Sequence, residues 1–574
     1  MTVDQKAVDQ KRQLAQRLRH GAAPALDAPS IGACLRAWAA QRSEAPALVA
    51  YDANGARREL SYGALWEAVQ SGAAALRAAG VEPGDRVAVL AGNDLEIVVA
   101  YCAIWTLGAC VAPVNMTEDA ERRRFIVENA EARLVLAPPD HLSEARSLAE
   151  ALPALRGALA LGAGEWRTGL VGAAYAPDAV SEREALIVYT SGTTGAPKGV
   201  VLTQASLLLD AQALRDWNRV TAGDALMCVL PIHHVNGIVV TLLTPFIAGA
   251  KAVLNHKFSP ATFWARIARE GVRIVSVVPT LLAFLLERPE LFAREAVGSL
   301  SHLICGAGPL TVELARQFEE TFGVRVLHGY GLSETTCYST MLPLDLSPEE
   351  HRHWMRAFGF PSIGAALPVC NVAVHDAEGN PLPPGARGEI VICGPSVMTG
   401  YFKRPESTSE AFAHGWFRSG DEGFYELDAQ GRAFFFITGR IKELIIRGGV
   451  NVSPFEIDEV LSRIPGVKRG LAVGFEHRWY GEEVGAYIVP EDGATLDAEM
   501  ILRAARERLP FHKSPKVVVF GADIPVTSTG KYQRNKLRSR FAPWRDVQFA
   551  APSPAASEKA ESQEKAEPQH RKAR

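Results

Sequence analysis

The 574 residues contain eight cysteines, and no two of them stand in a C-x-x-C spacing. Cys34, Cys102, Cys110, Cys228, Cys305, Cys337, Cys370 and Cys393 are scattered through apolar segments, which argues against a disulfide framework or a zinc site and suits a reducing cytoplasm. Excess charge is lacking too. Lys and Arg number 61 against 64 Asp and Glu, and the net charge of -3 offers no footprint for a nucleic-acid backbone or an anionic membrane. The N-terminal segment MTVDQKAVDQKRQLAQRLRH is charged throughout and lacks the apolar core of a secretory signal, so secretion is not expected. One apolar run, Ile97 to Met116, approaches the roughly 20 residues that span a bilayer. Gly108 and Pro113 break it, and it reads as a buried helix running into a short strand rather than a membrane span.

What is present is ordinary globular material, 48% hydrophobic and 22% charged. At ~150 residues per domain the length corresponds to three or four folding units. Ser61 is placed to cap a helix that runs through Ala79 and stops at Gly80. Arg86 to Ala91 reads as a strand and Leu95 to Leu107 as a helix. The alternation recurs at Leu134–Ala137, Ala185–Tyr189, Arg273–Val277, Leu303–Cys305 and Val324–Leu327. It predicts an α/β fold with a mostly parallel sheet covered on both faces. From about Asn371 short strands with Gly and Pro turns predict a small β-rich subdomain. Beyond Arg440 a compact α+β unit is expected, and after Trp544 the Ala, Ser, Glu, Lys and Pro composition predicts a disordered tail. The expected organisation is an N-terminal extension over 1–25, a large domain over 26–440, a small domain over 441–545 and a tail over 546–574.

The segment Tyr189 to Val200, YTSGTTGAPKGV, follows an apolar strand and packs three glycines, four hydroxyl side chains and one lysine into a loop. Glycines let backbone N–H groups converge on an anion. The hydroxyls of Thr190, Ser191, Thr193 and Thr194 add donors, and Lys198 adds charge. Such a loop suits phosphate, although its order is not that of the common P-loop, and a polar hairpin is the bland alternative.

The loop resembles the signature of the adenylate-forming superfamily, which includes acyl-CoA synthetases, beetle luciferases and peptide-synthetase adenylation domains. Further motifs occur in that family's order: PIHHVNG from Pro231, GAGPL from Gly306, HGYGLSETT from His328, GWFRSGD from Gly415, GRIKELIIRGGVNVSPFEID from Gly439 and PVTSTGKYQRNKL from Pro525. The resemblance spans Ser61 to Leu537 and is greatest to bacterial acyl-CoA ligases. It implies ATP, Mg²⁺, CoA and a carboxylic acid, with a mobile C-terminal domain.

What it implies about residues follows motif by motif. Thr190, Ser191, Gly192, Thr193, Thr194, Gly195 and Lys198 would meet the phosphates of ATP. Glu334 would hold magnesium, Ser333 (where Thr is usual) would touch phosphate, and Tyr330, with Gly329 and Gly331, would lie at the adenine. Gly306, Ala307 and Gly308 would border nucleotide and acid. Asp421 would accept both ribose hydroxyls from a loop, Arg440 would assist there, and Ile437 would lie near the adenine. His234 would line the acid pocket with Val235, Asn236 and Gly237. Lys531 would cross from the small domain to the reacting carboxylate, with Lys442 as hinge, and Gly448 with Gly449 would let the phosphopantetheine arm pass.

Read on their own, several of these residues have plainer explanations. Glu334 suits a helix cap, Arg440 a surface ion pair, Ile437 an ordinary strand position and His234 a hydrogen-bonded core histidine. His233 and His234 with His351 and His353 form the one zinc rival. Among functions, acid:CoA ligation is expected first. Loading of a free-standing acyl carrier protein, a non-catalytic nucleotide or acid sensor, and a luciferase-like oxygenase follow. The small residues of the acid pocket, Gly331 among them, are expected to leave room for a long or bulky apolar acyl group, whereas Asn236 is the alternative, a contact for a polar substituent, so fatty, aromatic and betaine-type acids all stay open.

Overall fold

The computed structural model describes residues 24–162, 165–167, 182–190, 197–292, 298–526 and 532–549. They fall into two compact units, one of residues up to Ile441 with Val526 and Tyr532, the other of residues from Lys442 to Pro525 and from Gln533 onward.

The first unit holds three sheets. In the nine-stranded one the strands Pro46–Tyr51, Lys251–Asn255, Ala225–Cys228, Ile274–Val277, His302–Cys305 and Arg325–Tyr330 run parallel to their neighbours, and short antiparallel strands close both edges. The seven-stranded sheet has a parallel centre around Arg86–Ala91 and Cys110–Asn115. Its antiparallel edge is made by Glu184–Thr190, Lys198–Thr203 and Gly400–Tyr401. The expected alternation is thus observed, and Ser61 does cap its helix, accepting from the Ala64 N–H.

The long apolar run resolves as predicted. Leu95–Leu107 is a helix with every residue buried, stopped by Gly108 at φ 76°, and it turns into the strand Cys110–Asn115. A helix apolar all round belongs in a core, and no helix among the described residues is long and apolar enough to cross a membrane. The third sheet is the expected β-rich part, four antiparallel strands at Asn371–His375, Gly388–Cys393, Phe417–Leu427 and Ala433–Arg440. Trp354, from the helix Pro348–Arg356, stacks on Phe434 with ring centroids 3.9 Å apart, and Phe424 stacks on Phe436 at 4.8 Å. These stacked rings brace the two strands that carry Asp421 and Arg440.

The second unit is a five-stranded sheet with the helices Pro454–Ser462 and Ala498–Arg506. Ile445, Val452, Ile457, Leu461, Val484 and Ile501 form its core. Arg534 forms two bonds to the buried Asp458, Nη2 to Oδ2 at 2.6 Å and Nη1 to Oδ1 at 3.1 Å.

Candidate functional site

Thr190 ends one strand and Lys198 begins the next, directly opposite in antiparallel register. The chain therefore reverses between them, an arrangement compatible with both the phosphate-loop and the polar-hairpin readings. Ser191, Gly192, Thr193, Thr194 and Gly195, and likewise Lys531, lie outside the described residues. The Lys198 ammonium stands 4.8 Å from the ring centre of Tyr401, which pairs into the same sheet edge beside Val200. The Tyr401 hydroxyl donates to Glu334 Oε1 at 2.9 Å, and the Met398 N–H donates to the Glu334 carbonyl at 2.7 Å. Lys198 and Glu334, 136 residues apart in sequence, are thus brought together by a tyrosine that the sequence reading did not single out. Burial and the nearby carboxylate push the Tyr401 hydroxyl up, so it remains a donor at neutral pH, while the charge of Arg440 acts in the opposite direction.

Glu334 is not a helix cap. It sits in the single 3₁₀ turn Ser333–Thr335 that follows the strand Arg325–Tyr330. The next residue, Thr336, has φ 70° and ψ -62°, a γ-turn closed by the Cys337 N–H on the Thr335 carbonyl at 2.9 Å. A β-branched residue at positive φ is strained. It is held by its own hydroxyl, which donates to the Ser396 carbonyl at 2.6 Å.

Around the proposed ribose position the structure corrects one expectation. Asp421 does not lie in a loop but inside the strand Phe417–Leu427, directly opposite Arg440 and beside a register shift at Glu422 and Gly423. The shift supplies what a loop would have supplied, because a bulge re-aims a side chain within a rigid sheet. Arg440 Nε reaches Asp421 Oδ1 at 2.8 Å and the Tyr330 hydroxyl donates to Oδ2 at 2.6 Å. Burial, reinforced by the Asp421 charge, pushes the Tyr330 hydroxyl well up, which keeps it the donor of that bond. Ile437 lies on the neighbouring strand opposite Gly423.

The acid-pocket candidates form a second polar group. His234 precedes the short helix Val235–Ile238, its ring 4.4 Å from that of His233. Burial pushes His233 down to about 4, so that imidazole is neutral. Ser276 Oγ donates to Asn236 Oδ1 at 2.8 Å, and Asn236 Nδ2 donates to the Tyr338 hydroxyl at 3.3 Å. Gly306, Ala307 and Gly308 form the turn after the strand His302–Cys305, with Ala307 at φ 62°. His351 does not join a zinc site: its Nε2 pairs with Glu319 Oε1 at 2.7 Å, and no group of three His, Cys, Asp or Glu among the described residues could hold a metal.

A metal held mainly by substrate is a different matter. Magnesium is commonly bound through one or two carboxylates plus phosphate oxygens, and Glu334, oriented by one donated hydrogen bond beside the Lys198 loop, fits that pattern.

In the second unit Lys442 is the first residue. Gly448 and Gly449, at φ 58° and 83°, make the two-residue turn between the paired Arg447 and Val450. Positive φ at both positions is what such a tight hairpin demands, so these glycines have a structural reason of their own.

A lysine and a glutamate joined through a tyrosine, and a carboxylate mounted beside a bulge opposite an arginine, suit a nucleotide-binding α/β protein. The model of the AMP-binding enzyme family matches residues 35–402, and that of the AMP-binding enzyme C-terminal domain matches 456–531. The chain belongs to the AMP-binding enzyme family. It is 35% identical to sulfoacetate–CoA ligase of Cupriavidus necator, over 88% of this chain and 97% of the relative. ATP-bound MatB from Rhodopseudomonas palustris superposes with a TM-score of 0.80 at 30% identity, covering 90% of this chain and 99% of that one. o-Succinylbenzoate CoA synthetase (MenE) from Bacillus subtilis, in complex with its acyl-adenylate intermediate, gives 0.76 at 28% identity, covering 88% and 97%.

Proposed function

We propose that this protein is an ATP-dependent carboxylic acid:CoA ligase. The acid's carboxylate attacks the α-phosphate of ATP, pyrophosphate leaves, and the acyl group passes from acyl-AMP to the thiol of CoA. The observation that carries this reading is the chain Lys198–Tyr401–Glu334, which joins the anion-binding loop to a carboxylate suited to magnesium. Two anions must approach one another in the first step, and neutralising their charge is the dominant demand. Lys198 and the Thr190–Gly195 loop bind phosphate, and Ser333 adds a hydroxyl. Magnesium, when bound, would be held by Glu334 and would neutralise phosphate charge there. Asp421 takes the ribose hydroxyls, steadied by Arg440 and Tyr330, with Ile437 near the base. His234, Val235, Asn236, Gly237 and the Gly306–Gly308 turn border the acid, and Gly329 and Gly331 flank Tyr330 at the base. Lys531 meets the carboxylate and α-phosphate, Lys442 is the pivot between half-reactions, and the Gly448–Gly449 turn lies along the path of CoA.

CoA is favoured as acceptor because the relatives named above are CoA ligases or synthetases over nearly their whole length. A reducing cytoplasm suits eight buried cysteines, none of them in a disulfide. Purified protein with Mg-ATP and an accepted acid should release pyrophosphate and AMP, and form a thioester once CoA is added. ADP and phosphate as products would refute adenylation. Acylation of a phosphopantetheinylated carrier without any CoA thioester would change the acceptor.

A further inference from the structure

In sequence, small residues near the acid suggest room for a long or bulky acyl group, with Asn236 as the alternative contact for a polar substituent. The structure shows that the space beside those glycines is taken. A Cβ on Gly306 would collide with the Tyr338 hydroxyl, one on Gly329 would lie 2.8 Å from Tyr338 Cε1, and one on Gly331 would strike the Cys337 carbonyl. Only at Gly308 would it make an ordinary contact, 3.5 Å from Pro279. Gly306, Gly329 and Gly331 are therefore required by the close approach of Tyr338 and the backbone before it.

Tyr338 is fixed in that place from several sides. The γ-turn at Thr336 reverses the chain immediately after Glu334. The Ser339 N–H then donates to the Tyr330 carbonyl at 2.8 Å and seats the segment alongside Gly329 and Tyr330. At the far end of the ring the hydroxyl accepts from Asn236 Nδ2, whose Oδ1 is held by Ser276. Tyr338 is 2% exposed and Ser276 is fully buried, whereas Asn236 is only half-buried. An amide nitrogen carries two hydrogens, and among the described residues Asn236 spends one of them, on Tyr338. The other is a donor on a side chain that is only half-buried.

Resting on the ligase reading, we infer that the acid is short and carries a hydrogen-bond-accepting polar group, such as a second carboxylate, a sulfonate or a carbonyl, rather than a long alkyl chain. An alkyl chain reaching past Gly306 would have to displace a tyrosine held by a hydrogen bond and packed against backbone. It would also bury the half-satisfied Asn236 amide, and a polar group left unpaired in that way discriminates strongly against the analogue that cannot pair with it. A short acid with an acceptor meets the same amide and satisfies it.

The test is a pyrophosphate-release screen of the full chain with Mg-ATP. The panel holds two- to four-carbon acids with and without a carboxylate, sulfonate or carbonyl substituent, benzoate, and saturated acids from decanoate to palmitate. The expected wild-type result is a kcat/KM for substituted short acids at least about 10-fold above unsubstituted acids of equal length and about 100-fold above decanoate, since a lost hydrogen bond to a buried polar group is of that order. Tyr338→Ala should raise the rate with decanoate relative to short acids. Tyr338→Phe, which keeps the ring, should keep the exclusion of decanoate, and Asn236→Ala should remove the preference for the polar substituent. Preference of the wild type for decanoate or longer acids overturns the inference and leaves the ligase reading intact. So does an unchanged chain-length profile in a Tyr338→Ala protein that melts like the wild type. Absence of pyrophosphate release with every acid overturns the ligase reading itself, and this inference with it.

Discussion

Replacing Tyr401 by Phe removes one hydroxyl and leaves the ring over which Lys198 stands. The lost interaction is the 2.9 Å bond to Glu334 Oε1, a neutral donor on a charged acceptor, for which about 1.5–3 kcal/mol is typical. The retained Lys198–ring contact at 4.8 Å is of the order of 0.5–1 kcal/mol at a partly exposed site, and Phe preserves most of it. The difference falls on the orientation of the Glu334 carboxylate. If that carboxylate holds magnesium against the nucleotide, the variant should bind Mg-ATP about 10- to 100-fold more weakly, at ~1.4 kcal/mol per decade. Binding of ATP in EDTA should be nearly unchanged, because phosphate contacts from the Lys198 loop are untouched.

Calorimetric titration of ATP with and without magnesium, on wild type, Tyr401→Phe, Glu334→Ala and the double variant, gives the cycle. The expected outcome is that magnesium enhancement shrinks in Tyr401→Phe and vanishes in Glu334→Ala, and that adding Tyr401→Phe to Glu334→Ala changes nothing further. Equal weakening with and without magnesium, or two effects that simply add, would show that the tyrosine packs the sheet edge and does not act through Glu334.

Asp421→Asn removes the charge that faces Arg440 Nε and gives the ribose a poorer acceptor, so ATP affinity should fall by about 10- to 100-fold in the same titration. Lys442→Pro fixes φ near about -65° and should spare ATP–pyrophosphate exchange while abolishing transfer from preformed acyl-AMP to CoA; equal loss of both in a protein of normal melting temperature would remove Lys442 as pivot. Burial raises the Asp210 carboxyl well above its ordinary 3.8, opposed by the Tyr338 backbone amide. The folded state then keeps a proton that the unfolded chain releases, so this contribution is present below 3.8 and is lost as pH rises toward the raised value, by about 1.4 kcal/mol per unit. Asp210→Asn should accordingly flatten the fall in melting temperature between pH 5 and pH 8. Arg534→Met strands the Asp458 carboxylate, which burial already pushes up and Arg534 pulls down; the second unit should lose about 3–5 kcal/mol at pH 7.5 and recover part of it at pH 5, where Asp458 takes up a proton.

The α/β alternation and the apolar strand that leads into the glycine-rich segment were legible because they rest on local periodicity and on residue types with few alternative uses; that Lys198 already begins the next strand was not. Nor was Tyr401. Nothing in MTGYFKRPE marks that tyrosine, whose role arises from pairing Gly400 and Tyr401 with Val201 and Val200, about 200 residues earlier in the chain. In sequence Asp421 ends a strand-like run that opens into a loop at Glu422 and Gly423; in the structure the strand continues, and Gly423 serves a register shift within it. The pocket glycines misled for a related reason. A missing side chain signals that something approaches closely, and sequence cannot say whether that neighbour is a ligand or, as at Gly306 and Gly329, a tyrosine of the same chain.

The proposed nucleotide residues have a second duty that follows from where they are mounted. Lys198 and Tyr401 stand on the seven-stranded sheet, Glu334 in the turn leaving the nine-stranded one, and Asp421 and Arg440 on the four-stranded one. The bonds Tyr401–Glu334 and Met398–Glu334 therefore tie the first sheet to the second, and Tyr330–Asp421 ties the second to the third. A side chain that only recognised ligand would be replaceable at little cost to the fold, but here the two carboxylates, Glu334 and Asp421, are each fixed by a tyrosine from a different sheet. That arrangement preorganises the charges, since no carboxylate must reorient when phosphate arrives. It also means that affinity and stability are coupled at these positions. A substitution that weakens Mg-ATP binding by loosening Glu334 or Asp421 also loosens a junction between sheets, whereas Asn236, proposed to meet the acid and joined to Ser276 and Tyr338 within the nine-stranded sheet and its following segment, leaves both junctions in place when it is changed.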